Sequence, residues 1–571
     1  MDLKVRTYNS KINFKSAQMN IVSIADNHGD LLSMPQLMKA IELNKKDIFE
    51  KSSEKSTSNV FAIAGDYFMN PLKTGFWTNP DFNNGEVQYN FLSKLLYTAK
   101  SSAGFNNFET VYTPGNHCYD GGDEWLYKKL RRAPMTTILS NVDKSESPLA
   151  KQLIQECRNV VTEKIIEIPD SKKKNQINKV LILGVTIPSM DYYHPKLIHG
   201  TKFYDNSSKN DASLQRKDLV KTLNKIKKNV EKFKNENPDG AVILMSHTGN
   251  KISNMIADKV PDINLILNGH DHKEFEVMHG NTLILSHGQN NKFFRSTALK
   301  FNDKGKLEEI RSKKIETDKY DQIARKDKNL QGFLSVNIGK DLEPIVKFKI
   351  SDGAPEEMVL DDSIRYSNNI LANYITSAVK RPLRELYPDV DAIGIPTGTF
   401  RGGLKSNERR HTLNNLDVMK IFDGSSEDLS VVKVGKITGK ELSDLIVENI
   451  LNNLKSKTRN PIIQWSDIQV NRTMFKEAAK KNCITDVAFD AIKIRNPKTK
   501  RFEKIKSDKL YTIALPDKYL TKDSASIKVP SQIKDKFESS GQTLDSLFRK
   551  YLEMIDYKVK ITDKTREKRI L

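Results

Sequence analysis

The residues most able to do chemistry are carboxylates, imidazoles and one amide that follow apolar runs in the first half of the chain. Carboxylate oxygens and neutral imidazoles are ligands for Mn, Fe, Zn and Co. Seven such ligands, one of them a shared carboxylate, are enough for two adjacent ions that clamp the attacking and leaving oxygens of a phosphoryl centre. The residues concerned are Asp26, His28, Asp66, Asn116, His117, His247, His270 and His272.

These residues must be positioned by strands. Apolar, β-branched runs of this length predict buried strands, and helical patterns at 31–43 and 217–234 lie between some of them. Alternation of strand and helix predicts a layered α/β domain. Since ligands bind beyond the carboxyl ends of strands in open α/β sheets, we expect one sheet edge to collect the polar residues. The runs are 19–26, 59–66, 109–116, 179–186, 240–247 and 263–270.

Glycine precedes three of these residues: Asp66, Asn116 and His270. Because glycine accepts backbone conformations that other residues avoid, we expect a sharp turn that exposes the ligand at each place.

The second half predicts a smaller α/β domain. Its elements are a helix at 364–383, a strand at 391–396, a strand and helix at 431–451, a basic hairpin at 492–509 and a helix at 543–555. The charged stretch between the halves indicates a linker or connecting helix. We therefore expect domains at 1–315 and 333–571, joined by 316–332.

Composition indicates which partners and which cellular compartment to expect for the protein. The 571 residues carry a net charge of +21, which favours polyanionic partners such as nucleic acid, although a lysine-rich composition accounts for the charge equally well. No run of 18 apolar residues occurs, so we expect no membrane span. Three cysteines and the lack of an apolar segment in the first twenty residues indicate an unexported protein of a reducing cytoplasm, the host cytoplasm if the source is viral.

The motifs Asp-x-His, Gly-Asp, Gly-Asn-His, Ser-His and Gly-His-x-His, in this order, resemble those of the calcineurin-like metallophosphoesterase superfamily. In the second half, the segments at 391–404, 431–442 and 511–520 resemble the C-terminal domain of the 5′-nucleotidase family. The resemblance implies a four-layer α/β/β/α catalytic domain followed by a smaller α/β substrate domain.

The resemblance also implies roles for the ligands. Asp26, His28 and His272 are expected to hold one metal, and Asn116, His247 and His270 the other. Asp66 is expected to bridge the two ions. His117 is expected to stay off the metals and to meet the charge that develops on the phosphate or leaving oxygen. A metal-bound hydroxide is the expected nucleophile; Mn suits these ligands best, and Zn, Fe, Co and Mg remain open.

Substrate contacts are expected from Arg401, Phe422 and Asn141. Arg401 closes the turn after the strand at 391–396, and a guanidinium suits phosphate or stacking. Phe422 is a candidate wall for a nucleobase, with a core position as the alternative.

The sequence departs from the family pattern in three places, and one of them is the turn at 396–401, which stands where the family has an Asn-Gly-Gly-type turn. Cys118, which we interpret as a packing residue, stands where an acidic residue is usual, and Asp120 or Asp123 could substitute. Residues 520–530 lack the glycine pair and aromatic residue that complete the family's base clamp. His287 follows a further apolar run and is a candidate for the cleft.

An incomplete mononucleotide pocket and a basic chain favour a long polyanion over a single nucleotide. The sequence therefore predicts a metal-dependent DNA nuclease, with a 5′-nucleotidase acting on (deoxy)nucleoside monophosphates as the alternative. Nucleic acid or nucleotides are the expected partners, and self-association is left open. Basic tracts that could follow a phosphate backbone lie at 222–234, 455–459, 492–509 and 564–569.

Overall fold

A computed structural model of the chain divides into two compact units, the described residues up to Asn337 and those from Ile338 onward. The segment 316–332 lies in the first unit, where it carries helices rather than an extended linker. The structure describes residues 4–5, 17–49, 56–68, 86–105, 107–170, 176–193, 198–206, 209, 213–339, 344–350, 357–358, 370–400, 404–405, 412–414, 421, 431–455, 462–481, 484–521, 529–556 and 558–561.

The first unit contains an eight-stranded sheet with the order β1-β14-β13-β2-β3-β4-β5-β6. Strands β2, β3 and β4 pair in parallel, so their carboxyl ends share one edge. The strands are β1 (Lys4–Val5), β2 (Gln18–Ile24), β3 (Thr57–Ala64), β4 (Phe108–Thr113), β5 (Thr136–Ile138), β6 (Val160–Val161), β13 (Phe293–Phe301) and β14 (Leu307–Glu316).

A second sheet of six strands has the order β11-β12-β10-β9-β8-β7. Strands β8, β9, β10 and β12 are mutually parallel along this order, so their carboxyl ends also lie together. The strands are β7 (Lys164–Pro169), β8 (Ile177–Thr186), β9 (Ala241–His247), β10 (Leu265–Asn268), β11 (Glu274–His279) and β12 (Thr282–His287).

The two sheets pack face to face around one apolar core. Ile21 and Val60 of the first sheet share this core with Val180 and Ile243 of the second. Burial of both faces explains why these strands read as continuous apolar runs. Helices complete the predicted four-layer arrangement: α1 (Met34–Leu43), α2 (Lys45–Ile48), α3 (Glu86–Ser102), α4 (Asp123–Arg132), α5 (Pro148–Glu156), α6 (Val220–Glu236), α7 (Gly249–Lys259), α8 (Asp321–Lys326) and α9 (Lys328–Ile338).

The second unit is built around a five-stranded sheet with the order β21-β17-β25-β20-β26. Its strands are β17 (Val390–Pro396), β20 (Val431–Thr438), β21 (Ile463–Trp465), β25 (Leu510–Pro516) and β26 (Phe537–Thr543). Helices α10 (Ile370–Leu386) and α16 (Leu544–Met554) share one core with β17, and α11 (Gly439–Lys455) contributes to a second core with β25. This is the smaller α/β domain that the resemblance implies.

Short strands and helices complete the second unit. The predicted basic hairpin is confirmed: β23 and β24 pair in antiparallel fashion on either side of Asn496-Pro497. The remaining elements are β15 (Pro344–Ile350), β16 (Glu357–Met358), β18 (Leu404–Lys405), β19 (Thr412–Asn414), β22 (Ile468–Val470), β23 (Ile492–Arg495), β24 (Phe502–Lys504), β27 (Lys558–Ile561), α12 (Arg472–Lys480), α13 (Ile484–Ala491), α14 (Asp517–Thr521) and α15 (Ser531–Lys534).

Among the described residues, no helix combines the length and the apolar character needed to span a membrane.

Candidate metal centre

The candidate ligands lie where strands of both sheets end. Asp26 and His28 follow β2, Asp66 follows β3 and Asn116 follows β4, all in the first sheet. His247 ends β9, and His270 and His272 follow β10, in the second sheet. The site therefore draws on the carboxyl edges of two facing sheets, where the sequence analysis expected one sheet edge.

Five of these residues hold the backbone in the left-handed region: Asp26 (φ 51°), His28 (51°), Asp66 (47°), His270 (88°) and His272 (58°). A non-glycine residue in such a conformation costs on the order of 1 kcal/mol or more, and such residues cluster at functional sites. The expected strands 19–26 and 59–66 end at Ile24 and Ala64, so Asp26 and Asp66 belong to strained turns rather than to strands. The strain turns each side chain toward the same point.

Asp66 lies at the centre of the cluster. Its Oδ2 is 3.4 Å from His28 Nε2 and 2.9 Å from His247 Nε2. Its Oδ1 accepts a hydrogen bond from the backbone N–H of His117 at 2.9 Å. One carboxylate thus reaches imidazoles from both sheets.

Asp26 forms a second point of convergence. Its Oδ1 is 3.5 Å from His272 Nε2 and 3.9 Å from His247 Nε2. Both of its oxygens accept from the backbone N–H of His270 at 3.1 Å. Asp26, His28 and His272 each offer a ligand atom within 4.8 Å of the others, the same trio that the resemblance implies for one ion.

The remaining residues expected for the other ion also meet. His270 Nδ1 lies 3.0 Å from Asn116 Oδ1, and the ring centroids of His247 and His270 are 5.4 Å apart. His247 Nδ1 donates to the carbonyl oxygen of Ala64 at 2.8 Å. This bond fixes the ring and directs Nε2 into the site, as metal-ligating histidines are usually held.

Three buried atoms at the centre have no hydrogen-bond partner in the structure: His28 Nε2, Asp66 Oδ2 and His247 Nε2. Asp66 Oδ2 and His247 Nε2 nonetheless lie 2.9 Å apart and form an ion pair when the imidazole is protonated. Unpaired buried polar groups are costly, and a native protein keeps them where a ligand satisfies them. Oxygen and imidazole nitrogen donors that face a common point fit divalent transition metals.

The negative charge of the buried carboxylates also favours the binding of cations in the cluster. Burial raises the pKa of Asp26 and of Asp66, but neighbouring imidazoles, His247 first, outweigh burial and hold both pKa values below the usual range. Burial lowers the pKa of His247, but the charges of Asp66 and Asp26 overcome it and raise the pKa to about 9. A proton on His247 thus takes the place of a cation, and metal binding would release it.

His117 has its own carboxylate partner. Its Nδ1 lies 2.8 Å from Asp120 Oδ2, with the two side chains 17% and 19% exposed. Asp123 instead accepts from the backbone N–H of Gly200 at 2.7 Å. Of the two acidic residues that could substitute near Cys118, Asp120 is the one that contacts His117.

Cys118 is fully buried, and its Sγ lies 2.8 Å from the Tyr112 hydroxyl. Burial raises the pKa of this thiol well above its usual value, with the charge of Asp66 adding to the effect. These contacts agree with the interpretation of Cys118 as a packing residue, since a thiol with a raised pKa is a poor nucleophile.

Glycine serves different purposes at the three expected turns. Gly65 has φ +92°, so the prediction of a special turn is confirmed there. Gly115 and Gly269 do not adopt positive φ, and the sharp turn expected at these two positions stays a prediction. A Cβ at Gly115 would lie 2.6 Å from His247 Nε2, and one at Gly269 would lie 2.7 Å from Asp26 Oδ2. Close packing of ligand side chains, rather than backbone freedom, requires glycine at these two positions.

The residues expected to contact substrate are not all described. Arg401 and Phe422 lie outside the described residues. Asn141 is buried, and its amide both accepts from the N–H of Thr186 at 3.1 Å and donates to its carbonyl at 2.7 Å. These bonds tie Asn141 to the end of β8.

Tyr192 is a site residue that the sequence analysis did not single out. Its ring meets the ring of His270 edge to face, with centroids 4.8 Å apart. Tyr192 belongs to a short helical turn after β8, in a segment with no motif or periodicity to mark it. Only the folded chain brings it beside a candidate ligand.

Comparisons with known proteins agree with this geometry. Residues 19–274 match the sequence model of the calcineurin-like phosphoesterase family. No curated protein sequence matches the chain. A 5′-nucleotidase precursor from Thermus thermophilus shares the fold at 15% identity, with a TM-score of 0.64 over 97% of this chain and 99% of that one.

The sulfate thiohydrolase SoxB from Thermus thermophilus shares the fold at 12% identity, with a TM-score of 0.60 over 99% of this chain and 97% of that one. Both likenesses extend over the two units, and at such low identity they establish the fold. The ligand cluster and the family match together show that residues 19–274 belong to the calcineurin-like phosphoesterase family and that the chain is a metal-dependent phosphoesterase.

Proposed function

We propose that the protein is a phosphomonoesterase of the 5′-nucleotidase type, which releases phosphate from nucleoside 5′-monophosphates. The observation that carries the chemistry is the buried cluster around Asp66, whose Oδ2 lies 3.4 Å from His28 Nε2 and 2.9 Å from His247 Nε2 while none of the three atoms has a hydrogen-bond partner. The nucleotide assignment is supported by the fold that both units share with the Thermus thermophilus 5′-nucleotidase precursor.

Two divalent ions fit the donor set. Asp26, His28 and His272 would hold one, Asn116, His247 and His270 the other, and Asp66 would contact both. When bound, such ions supply positive charge to ester oxygens and lower the pKa of water. The left-handed backbone at five of these residues keeps the donors converged before any ion arrives, which reduces the ordering cost of binding.

His117 is the residue that we assign to proton transfer at the leaving oxygen. Asp120 accepts from Nδ1 and stabilises the protonated ring, so that Nε2 can deliver its proton to the departing alkoxide. The backbone N–H of His117 donates to Asp66, which fixes the imidazole relative to the metal ligands. Partial exposure of His117 and Asp120 keeps them within reach of a substrate.

A nuclease, the main prediction from the sequence, is less well supported than this alternative. The likeness to a 5′-nucleotidase favours a small substrate, and several charges of the basic hairpin are matched within their own unit. Arg495 Nε lies 3.1 Å from Asp467 Oδ1, and Lys504 pairs with Asp490. Cations with such partners are less available for a phosphate backbone.

The test is a panel of substrates with Mn²⁺: 5′-mononucleotides, double-stranded DNA and an aryl sulfate ester, the last because SoxB shares the fold. We expect phosphate release from mononucleotides and no reaction of the other two. Shortened DNA with intact mononucleotides would restore the nuclease, and sulfate release would overturn the phosphate assignment. Asp66→Asn serves as the inactive control, and Asp467→Asn, a carboxylate of the second unit, as the matched active one.

A further inference from the structure

The two sheets of the first unit are joined by a buried histidine at the ligand-bearing ends of their strands. His287, the last residue of β12, is 2% exposed. Its Nε2 lies 2.7 Å from the Ser23 hydroxyl on β2 of the facing sheet. Its Nδ1 lies 3.1 Å from the carbonyl oxygen of Asn268 on β10. Ser23 precedes Asp26 by three residues, and Asn268 precedes His270 by two, so each contact lies just behind a candidate ligand.

The partners of His287 determine its protonation. A carbonyl oxygen can only accept, so Nδ1 carries the hydrogen and donates it to Asn268, while Nε2 accepts from the Ser23 hydroxyl. Burial lowers the pKa of His287 to about 4, and the charge of Arg295 contributes in the same direction, so the ring is neutral at neutral pH. With both nitrogens engaged, His287 is not a metal ligand and does not line a cleft.

Three further contacts join the two sheets in this region. Arg295 lies on β13, opposite Ser23 of the neighbouring strand β2. Its Nε donates to the carbonyl oxygen of Ser286, the residue before His287, at 3.2 Å. Its guanidinium also pairs with Glu276 at 2.7 Å on β11. In the loop after β12, Asn290 donates its N–H to the carbonyl oxygen of Asp26 at 2.8 Å. The ligand-bearing end of β2 is thus fixed to the second sheet.

We propose that His287 is a positioning residue that sets the spacing between the metal ligands of the two sheets, and so the geometry of both ion sites. Asp26 and His270 stand on opposite sheets, and the Ser23–His287–Asn268 bridge is a direct polar link between the strands that carry them. This inference rests on the metal centre of the proposed function but is independent of the substrate. Residues that orient metal ligands without touching the metal typically contribute about 10- to 100-fold to metal affinity.

The test measures metal binding without substrate. Metal-free wild type, Ser23→Ala, His287→Ala and His287→Gln are titrated with MnCl₂ by calorimetry, and the fully loaded samples are examined by electron paramagnetic resonance. We expect Ser23→Ala and His287→Ala to bind Mn²⁺ about 10- to 100-fold more weakly and to lose the spin coupling of a close Mn pair. His287→Gln, which keeps a donor and an acceptor in the bridge, should recover part of both.

Asn20→Ala is the matched control. Asn20 lies on the same strand as Ser23, is equally buried, and donates to Asn59 Oδ1 at 2.9 Å, but no candidate ligand follows it closely. It should lower the unfolding temperature without changing Mn²⁺ affinity. If His287→Ala does not fold, the smaller change Ser23→Ala decides the question.

The positioning role is overturned if Ser23→Ala and His287→Ala bind Mn²⁺ within about twofold of the wild-type affinity and keep the spin coupling of a close Mn pair. A wild type that binds no Mn²⁺ would overturn both the positioning role and the metal centre. Weakened binding in the variants, combined with an inert substrate panel, would support the positioning role while removing only the nucleotide assignment.

Discussion

Each unit of the molecule contains a cluster of charged side chains, with buried carboxylates in the first unit and a partly exposed one in the second, and the two clusters are balanced in opposite ways. In the second unit, Asp467 lies 2.5 Å from Lys380 Nζ and 3.1 Å from Arg495 Nε, so the chain supplies its own cations. In the first unit, Asp26 and Asp66 are at most 1% exposed, and the side-chain partners described for their charges are imidazoles.

The difference distinguishes a structural cluster from a chemical one. The Asp467 carboxylate is 23% exposed and is neutralised by a lysine and an arginine of its own unit. Two buried carboxylates among imidazoles carry negative charge that an imported cation can neutralise, and Asp66 Oδ2 has no hydrogen-bond partner in the structure. Buried carboxylates without a lysine or arginine partner therefore mark the candidate site.

The largest expected effect is at Asp66. Asp66→Asn removes the oxygen that faces His28 and His247, so we expect loss of bound metal and of turnover to the detection limit. Phosphate release and metal content by atomic emission measure the two effects. A variant that kept both would remove Asp66 from its bridging position and with it the two-metal arrangement.

The next effect is at the His117–Asp120 pair. His117→Ala should slow turnover about 10²- to 10⁴-fold, the usual contribution of a positioned proton donor, while leaving metal content unchanged. Asp120→Asn should act in the same direction but less strongly, because the ring keeps a hydrogen-bond partner. Steady-state kinetics with metal analysis tests both variants, and metal loss in His117→Ala would instead make His117 a ligand.

A smaller effect concerns stability. Asp467→Asn removes the carboxylate that pairs with Lys380, whose side chain is 7% exposed, and should cost about 2 kcal/mol of unfolding free energy, with Mn²⁺ affinity unchanged. Asp66→Asn should by contrast remove Mn²⁺ affinity, because its carboxylate belongs to the candidate ligand cluster. Urea unfolding and Mn²⁺ titration of the metal-free proteins measure these effects, and a loss of Mn²⁺ affinity in Asp467→Asn would contradict the contrast between the clusters.

The smallest effect is expected at the basic hairpin. Changing the exposed Lys498 and Lys500 to glutamine should leave mononucleotide hydrolysis within about twofold of wild type, because surface charges contribute little. DNA affinity, measured at two salt concentrations, should also change little. A steep, salt-dependent loss of DNA binding would bring back the polyanion interpretation of this hairpin.

Much of the site was predictable from local sequence. Each ligand sits just after an apolar run that forms a strand, and parallel strands end at a common edge. The same reasoning predicted the basic hairpin and the terminal helix, which begins after Thr543 as a helix cap of this type should. It did not find the packing reason for Gly115 and Gly269, because the side chains that fill the space beside them come from strands distant in sequence.

The sequence by itself determined which residue types stand at the ends of which strands, since ligand chemistry and strand pattern are properties of short segments. Only the tertiary structure decided how these segments meet. In the folded chain Asp120, not Asp123, contacts His117, and Tyr192 lies beside His270. The ligands are divided between two facing sheets that are joined at His287. Such choices depend on strand pairing and sheet packing between distant parts of the chain, which no local pattern encodes.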